Sequence, residues 1–322
     1  MSAKSNDPVE LALSCWFLTG ATASGKSAVS IELAKMLDAE IISLDSMAIY
    51  RGMDIGTAKP TLEYQALLPH HLIDIRDPID AFSVSQYRDL ALTQIAEIQR
   101  RGKQVLFVGG TALYLKALLR GLFDGPAADW DLRKQIEDEL EQIDSDELMK
   151  RLASVDPLSA HKLHKNDRRR IIRALEVYYR TGTPISHWQN EFDRATPAEQ
   201  CRVFTLRHPR PILHNRIETR VVEMFELGLI EEVERLLKRW YDLGHTASQA
   251  VGYREVIEYL NGETDLETAQ EKVLIRTRRF ARHQETWFRG LEECQILDLE
   301  DEFSPASIAK QIYQLGESPS AS

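Results

Sequence analysis

Cysteine is scarce: the chain of 322 residues has three, Cys15, Cys201 and Cys294, odd in number, far apart and set among apolar neighbours. That pattern offers neither a disulfide framework nor a thiolate metal site, and buried free thiols are expected. Long hydrophobic runs are missing too, since no stretch reaches the roughly 18–20 apolar residues of a membrane span. The polar segment Met1–Glu10 lacks the apolar core of a secretory leader, so a cytoplasmic protein is expected. There is no internal repeat. A disordered or collagen-like composition is also absent, because 43% hydrophobic and 28% charged residues are ordinary for soluble globular proteins.

The length exceeds what one hydrophobic core usually organises, which implies a large domain with an insertion, or two domains. Charge is unevenly spread. Forty basic and fifty acidic residues give a net charge of −10, which speaks against a polyanionic partner if evenly distributed. Yet Lys162, Lys165, Arg168, Arg169, Arg170, Arg173 and Arg180 face only Asp167 and Glu176 between His161 and Arg180, a local +5. A second island of +5 runs from Lys272 to Arg289. In the first, four arginines within six residues repel one another unless a polyanion is present.

Periodicity predicts strands at Leu13–Leu18, Glu40–Leu44, His71–Ile75 and Gln104–Val108, alternating with helices at Ser27–Leu37, Ser83–Arg101 and Leu113–Arg120. Such alternation implies a parallel sheet covered on both faces. After a linker at Gly125–Ala128, Trp130–Glu191 reads as consecutive helices, an inserted subdomain of residues 126–198 between core segments 10–125 and 199–300. Strands follow at Gln200–Leu206 and Gln295–Leu299. Helices are predicted at Pro211–Glu226, Leu229–Trp240, Ser248–Leu260, Leu266–Arg289 and Ser304–Leu315, and residues 316–322 form a tail expected to be disordered. In the long Leu266–Arg289 helix, a helical wheel places Arg278, Arg282 and Arg289 on one face and Phe280, Ala281, Trp287 and Phe288 on a core-facing one.

The strongest motif is Gly20-Ala21-Thr22-Ala23-Ser24-Gly25-Lys26-Ser27, a G-x-x-x-x-G-K-[ST] loop between a predicted strand and a predicted helix. Glycines let backbone N–H groups converge on phosphate oxygens, the helix N-terminus adds its dipole, Lys26 adds a point charge and Ser27 can ligate Mg²⁺. The loop is suited to a diphosphate or triphosphate, and a kinase or NTPase is the default reading. Such enzymes usually place an acid at the end of a later strand, but Gln104–Val108 runs into Gly109-Gly110-Thr111. The acid comes earlier, in Ile41-Ile42-Ser43-Leu44-Asp45-Ser46, at the carboxyl end of a strand where a parallel sheet meets its ligand. Asp45 is the candidate base. His70-His71 with Asp74 suits a metal poorly, because adjacent strand residues point to opposite faces.

The loop, the segment Asp45–Pro60 (DSMAIYRGMDIGTAKP), Gly109-Gly110-Thr111 with Tyr114, Lys165–Val177, Leu213–Ile217 and Val251-Gly252-Tyr253-Arg254 together resemble the tRNA dimethylallyltransferase family, over roughly Phe17 to Gly290. The resemblance implies a P-loop nucleoside-triphosphate-hydrolase-like parallel-sheet core with an all-helical insertion that swings onto the anticodon stem. It implies transfer of a dimethylallyl group from dimethylallyl diphosphate to N6 of adenine 37, with release of diphosphate, Mg²⁺ as cofactor and a monomeric enzyme. By the same resemblance Asp45 takes the N6 proton, Thr111 orients the reacting ends, and Lys26, Ser27 and Arg216 neutralise the diphosphate, with Arg220 one turn on as the alternative anchor. Asp45, Ser46, Met47, Ala48 and Thr111 meet the target nucleotide. Arg133, Arg169, Arg170, Ile171, Ile172 and Arg173 approach the tRNA, as do Gln249, Ala250, Val251, Gly252, Tyr253 and Arg254. Ala21 stands where many members carry proline and Ser27 where threonine is commoner, and the zinc finger of the eukaryotic branch is not expected. A small-molecule kinase, a prenyltransferase acting on free nucleotides and a non-enzymatic RNA-binding protein are the competing readings. The kinase lacks its late acid, the free-nucleotide enzyme needs no arginine-rich insertion, and simple binding leaves Lys26 and Asp45 unexplained.

Overall fold

The computed structural model describes residues 7–122, 125–126, 129–141, 144–189 and 195–317. They divide into two compact units, one formed by the chain up to Leu119 and again from Ala195, the other by Arg120–Arg194. No described helix is long and apolar enough to cross a membrane.

The first unit is built on strands β1 (Trp16–Gly20), β2 (Ala39–Ser43), β3 (His70–His71), β4 (Gln104–Gly109), β5 (Val203–Arg207) and β6 (Cys294–Asp298), in the spatial order β3-β2-β4-β1-β5-β6. All neighbouring pairs are parallel. Helix α1 (Pro8–Leu13) precedes β1, helices α2 (Lys26–Leu37), α3 (Leu62–Leu67) and α4 (Val84–Arg100) connect the first four strands, and α5 (Ala112–Leu119) follows β4. The two-residue period of β1 sends Trp16 and Leu18 into one apolar layer and Phe17 into the other. Ile41 and Ile42 of β2, and Leu106 and Phe107 of β4, divide in the same way. Both faces are therefore covered, as a parallel sheet requires.

The second unit contains α6 (Trp130–Glu141), α7 (Ser145–Val155), α8 (Pro157–Lys162), α9 (Arg168–Thr181) and α10 (Ile185–Gln189), with no strand among its described residues. Ile136, Leu148, Leu152, Ile171, Ile172 and Leu175 share its core. Asp167 caps α9 by accepting from the Arg170 N–H, and Gly182 ends it in the left-handed region at φ 69°.

The first unit resumes with α11 (Arg210–Glu226), α12 (Leu229–Trp240), α13 (His245–Ser248), α14 (Tyr253–Leu260), α15 (Leu266–Arg289) and α16 (Pro305–Glu317). Ala309 and Ile312 of α16 complete the apolar layer over α2.

Several local differences from the sequence reading have physical causes. β3 stops after two residues because Leu72 and Asp74 adopt φ values of 59° and 56°, incompatible with a continuing strand. The single helix expected over Ser248–Leu260 is split by Gly252 at φ 94°. The core stripe of α15 is Ala269, Val273, Thr277, Ala281, Gln284 and Phe288, so Phe280 and Trp287 are exposed rather than core-facing. They lie about 100° from Ala281 and Phe288, outside the buried stripe. Gly316 and Glu317 close α16, whereas residues 318–322 of the expected tail, like Ala127 and Ala128 of the expected linker, lie outside the described residues. Cys15, Cys201 and Cys294 are all free, and burial pushes the thiols of the first two up to about 12.

Candidate active site

The order β2-β4-β1-β5 puts the turns leaving β1, β2 and β4 at one end of the sheet, where the parallel fold leaves a crevice. The loop after β1 contains Gly25 at φ 86°, a conformation that strains any L side chain, and a Cβ there would lie 2.6 Å from the Phe303 ring. Lys26 opens α2 and turns back, donating to the carbonyls of Gly20 (2.9 Å) and Ala21 (2.7 Å) and to Ser24 Oγ (3.4 Å). Arg216 of α11 donates Nε–H to the Ala23 carbonyl at 2.8 Å. Arg220, a turn later, donates to Thr22 Oγ1 at 3.1 Å.

Three cations thus converge on one loop, and among the described residues none is ion-paired. Burial and then the charge of Arg220 pull the Lys26 amine down to about 7, against a smaller upward pull from Asp45. Burial and Arg216 likewise lower Arg220. Concentrated, partly desolvated positive charge without a protein carboxylate is a cradle for a bound anion. The expected loop residues and Arg216 are brought together, and Arg220 joins Arg216 instead of replacing it.

Asp45 follows β2 directly. Its Oδ1 accepts from the N–H groups of Met47 (2.8 Å) and Ala48 (3.2 Å), which fixes the carboxylate, and Oδ2 has no protein donor among the described residues. Because β4 pairs in parallel with both β1 and β2, Asp45 and the anion cradle stand at the same end of the sheet. Thr111, after β4, accepts from the Ser46 N–H on Oγ1 at 3.1 Å, and its own N–H donates to the Leu44 carbonyl at 3.1 Å. Burial raises the nearby tyrosines, Tyr87 strongly and with further pushes from Tyr114 and Asp45, and Tyr114 also with a push from Asp45. Both stay protonated, with rings stacked at 3.8 Å.

The segment beyond Asp45 is held from α12 and α14. Glu232 is buried and accepts from the N–H groups of Asp54 (3.1 Å), Ile55 (2.9 Å) and Gly56 (3.4 Å), and from the Tyr253 hydroxyl at 2.6 Å. Lys59, its side chain 3% exposed, donates to Asp54, Asp74 and the Tyr50 carbonyl. Asp74 therefore serves an ion pair rather than a metal. Among the described residues no cluster of His, Cys, Asp or Glu is fit to hold a metal. Ser27, exposed in the first turn of α2, offers a hydroxyl oxygen that fits a hard cation also held by its ligand's own oxygens.

The residues read as tRNA contacts fall into two groups. Arg169, Arg170, Gln249 and Arg254 are exposed, and Ser46, Met47 and Val251 are half-buried. Ala48, Ile171, Ile172, Ala250 and Tyr253 are buried, as is Gly252, so these positions are packed within the protein and the segments meet solvent through their exposed neighbours. Ile171 and Ile172 point into the helical core because the apolar face of α9 must, and Tyr253 points at Glu232. Arg133 and Arg173 bond the buried Glu176 at 3.0 and 2.5 Å, where Asp129 N–H also donates at 2.6 Å. Although burial pushes the Glu176 carboxyl up, these donors hold it below the usual carboxylate range.

In α15, Arg276 pairs with Glu255, and Arg278 with Glu218 at 3.0 Å. Arg278, Arg279, Arg282 and His283 line a recess with Arg210 and His214 of α11, and burial with Arg278 and Arg210 lowers His214. Gln284, on the buried stripe, accepts from the Thr22 N–H at 2.8 Å and donates to the Gly110 carbonyl at 2.9 Å. The sequence reading missed both Gln284 and Glu232. Their signal is a polar residue at an apolar position of the helical period.

Residues 48–291 match the family described as IPP transferase. A tRNA dimethylallyltransferase of Rhodopirellula baltica is 50% identical over 288 residues, 87% of this chain and 86% of that protein. One from Pelotomaculum thermopropionicum is 44% identical, over 93% of this chain and 95% of its own. Among solved structures, the full-length tRNA isopentenylpyrophosphate transferase of Bacillus halodurans is similar at a TM-score of 0.68 and 38% identity, covering 96% and 98% of the two chains. A eukaryotic dimethylallyltransferase acting on tRNA is similar at 0.72 and 30% identity, covering 88% and 73%.

Proposed function

Because the chain belongs to the IPP transferase family, it is a tRNA dimethylallyltransferase, and we propose the following division of labour among its residues. The diphosphate of dimethylallyl diphosphate lies in the loop Gly20–Ser27, held by backbone N–H groups, Lys26, Arg216 and Arg220. Ser27 would hold a magnesium ion, which would supply further positive charge to the departing diphosphate. Asp45 faces N6 of adenine 37, and Thr111 keeps the Ser46 turn that carries this base in register. The observation that carries the reading is geometric: β4 pairs in parallel with both β1 and β2, so the cation-lined loop after β1 and Asp45 after β2 stand at the same end of the sheet, and proton acceptor and anion cradle serve one reaction centre.

An adenine N6 amine is a weak nucleophile, because its lone pair is delocalised into the ring. As that pair forms the N6–C1 bond of the prenyl group, the C1–O bond breaks with its electrons passing to the diphosphate, and the N6 proton passes to Asp45. The base must leave its stack to reach this point, which is cheaper in an anticodon loop than in a duplex. Arg169 and Arg170 of α9, and the arginine- and histidine-lined recess of α11 and α15, supply phosphate contacts for the anticodon stem-loop. The enzyme acts as a monomer in the cytoplasm.

The test is transfer of a radiolabelled dimethylallyl group to unmodified anticodon stem-loop RNA, with AMP as parallel acceptor and Asp45→Ala as control. Label on the RNA, lost in the variant, supports the reading. Label on AMP alone selects a free-nucleotide enzyme, and none on either returns the kinase.

A further inference from the structure

Two turns carry the reacting groups: the loop after β1 holds the anion, and Gly109-Gly110-Thr111 after β4 braces the Ser46 turn beside Asp45. They are neighbours because β1 pairs with β4, with Thr19 opposite Gly109. Strand pairing ends there, and beyond it a different connection joins them. The Gln284 side chain, 7% exposed, reaches from α15 between the turns, accepting from Thr22 N–H and donating to Gly110 C=O.

We infer that Gln284 is a positioning residue for prenyl transfer, a rigid amide strut that sets the spacing between the diphosphate loop and the turn bracing Asp45. A relay of hydrogen bonds supports it: Thr22 N–H donates to Gln284, Gln284 donates to the Gly110 carbonyl, and on the next residue Thr111 Oγ1 accepts from the Ser46 N–H beside Asp45. The amide matches both ends at once, its oxygen accepting at one and its nitrogen donating at the other. The neighbouring glycines make room for it. A Cβ on Gly110 would sit 2.2 Å from Gln284 Nε2, and one on Gly109 would sit 2.1 Å from the Leu44 carbonyl oxygen. A buried neutral strut does this without adding charge to a site whose electrostatics are already set by Lys26, Arg216, Arg220 and Asp45.

This inference rests on the division of labour above, and its test separates the two. Gln284→Met keeps length and burial but removes both hydrogen bonds. Gln284→Glu keeps the acceptor at Thr22 and loses the donor to Gly110. Each is measured for kcat and KM with stem-loop RNA per folded molecule, for RNA affinity by filter binding, and for thermal unfolding. The expected result is a fall in kcat of about 10²-fold, the scale of a small misplacement of reacting groups, with RNA affinity within about threefold of wild type. Gly110→Ala, which displaces the same amide, produces a similar fall, and combining it with Gln284→Met adds little further loss because both cut one linkage.

A folded Gln284→Met or Gln284→Glu enzyme with kcat within about threefold of wild type overturns the inference. So does a loss confined to RNA affinity, which would make Gln284 an RNA contact, or full additivity with Gly110→Ala. If Gln284→Met does not fold, Gln284→Glu and Gly110→Ala decide the question on the same criteria. Failure of the wild-type enzyme to label RNA at all overturns the division of labour instead.

Discussion

Binding of diphosphate should draw a proton into the protein, and Lys26 sets how much. In the free protein its amine lies at about 7, against 10.5 for an ordinary lysine. At pH 8 about one-tenth of such an amine is protonated, and at pH 6 about nine-tenths. A diphosphate seated against Nζ restores the charge, so this residue takes up about 0.9 proton per ligand at pH 8, about 0.5 at pH 7 and about 0.1 at pH 6. Affinity from this group therefore weakens as pH rises above 7. Stability of the free protein moves the other way: between about pH 7 and 10.5 the unfolded chain holds a proton that the folded loop does not, so the lysine contributes more stability as pH increases. The assay is titration calorimetry with inorganic diphosphate in buffers of different ionisation enthalpy, comparing wild type with Lys26→Arg. The guanidinium stays charged throughout, and the ligand's own protons appear equally in both proteins, so their difference isolates the lysine. Equal proton uptake in the two proteins, or uptake flat from pH 6 to 8, refutes the reasoning.

Asp45→Asn removes the proton acceptor but keeps an oxygen for the Met47 and Ala48 N–H groups, so kcat should drop about 10²–10⁴-fold with diphosphate affinity retained, measured by single-turnover labelling. Glu176→Ala leaves Arg133 and Arg173 without their buried partner and should destabilise the helical unit by about 3–5 kcal/mol, read from urea unfolding. Because the Glu176 carboxyl is held down in the fold, its stabilisation is present above the ordinary carboxylate value near 4.5 and disappears as pH falls below it. Glu232→Leu strips acceptors from the N–H groups of Asp54, Ile55 and Gly56 and from the Tyr253 hydroxyl. It should increase proteolysis in residues 53–59 at a cost of about 1–3 kcal/mol per unsatisfied group, and unchanged cleavage would contradict the role of Glu232.

The sheet was legible because its strands are short apolar runs bounded by turn residues, and the phosphate loop because its glycines and lysine have one familiar use after a strand. Boundaries failed where the backbone takes conformations that composition does not announce, as at Leu72, Asp74 and Gly252. The cradle was legible through Lys26 and, by resemblance, Arg216. The strut and the loop anchor were not, since Gln284 and Glu232 read as ordinary helix-surface residues until their helices are rotated against the core. The error at Phe280 and Trp287 has the same origin: a wheel gives angles between side chains but not which angle faces the sheet. Arginines of the basic islands were legible as charge, whereas the engagement of Arg133 and Arg173 with Glu176 depends on tertiary geometry.

The discontinuity of the first unit has a kinetic consequence. β1 is an interior strand whose second neighbour, β5, comes from beyond the helical unit, and the buried Thr19–Thr205 hydroxyl contact joins residues 186 apart in sequence. During synthesis the edge of β1 stays unpaired until Val203–Arg207 have emerged, while the intervening helices, whose contacts are local, can already collapse on themselves. The strand left waiting is the one that leads into the phosphate loop.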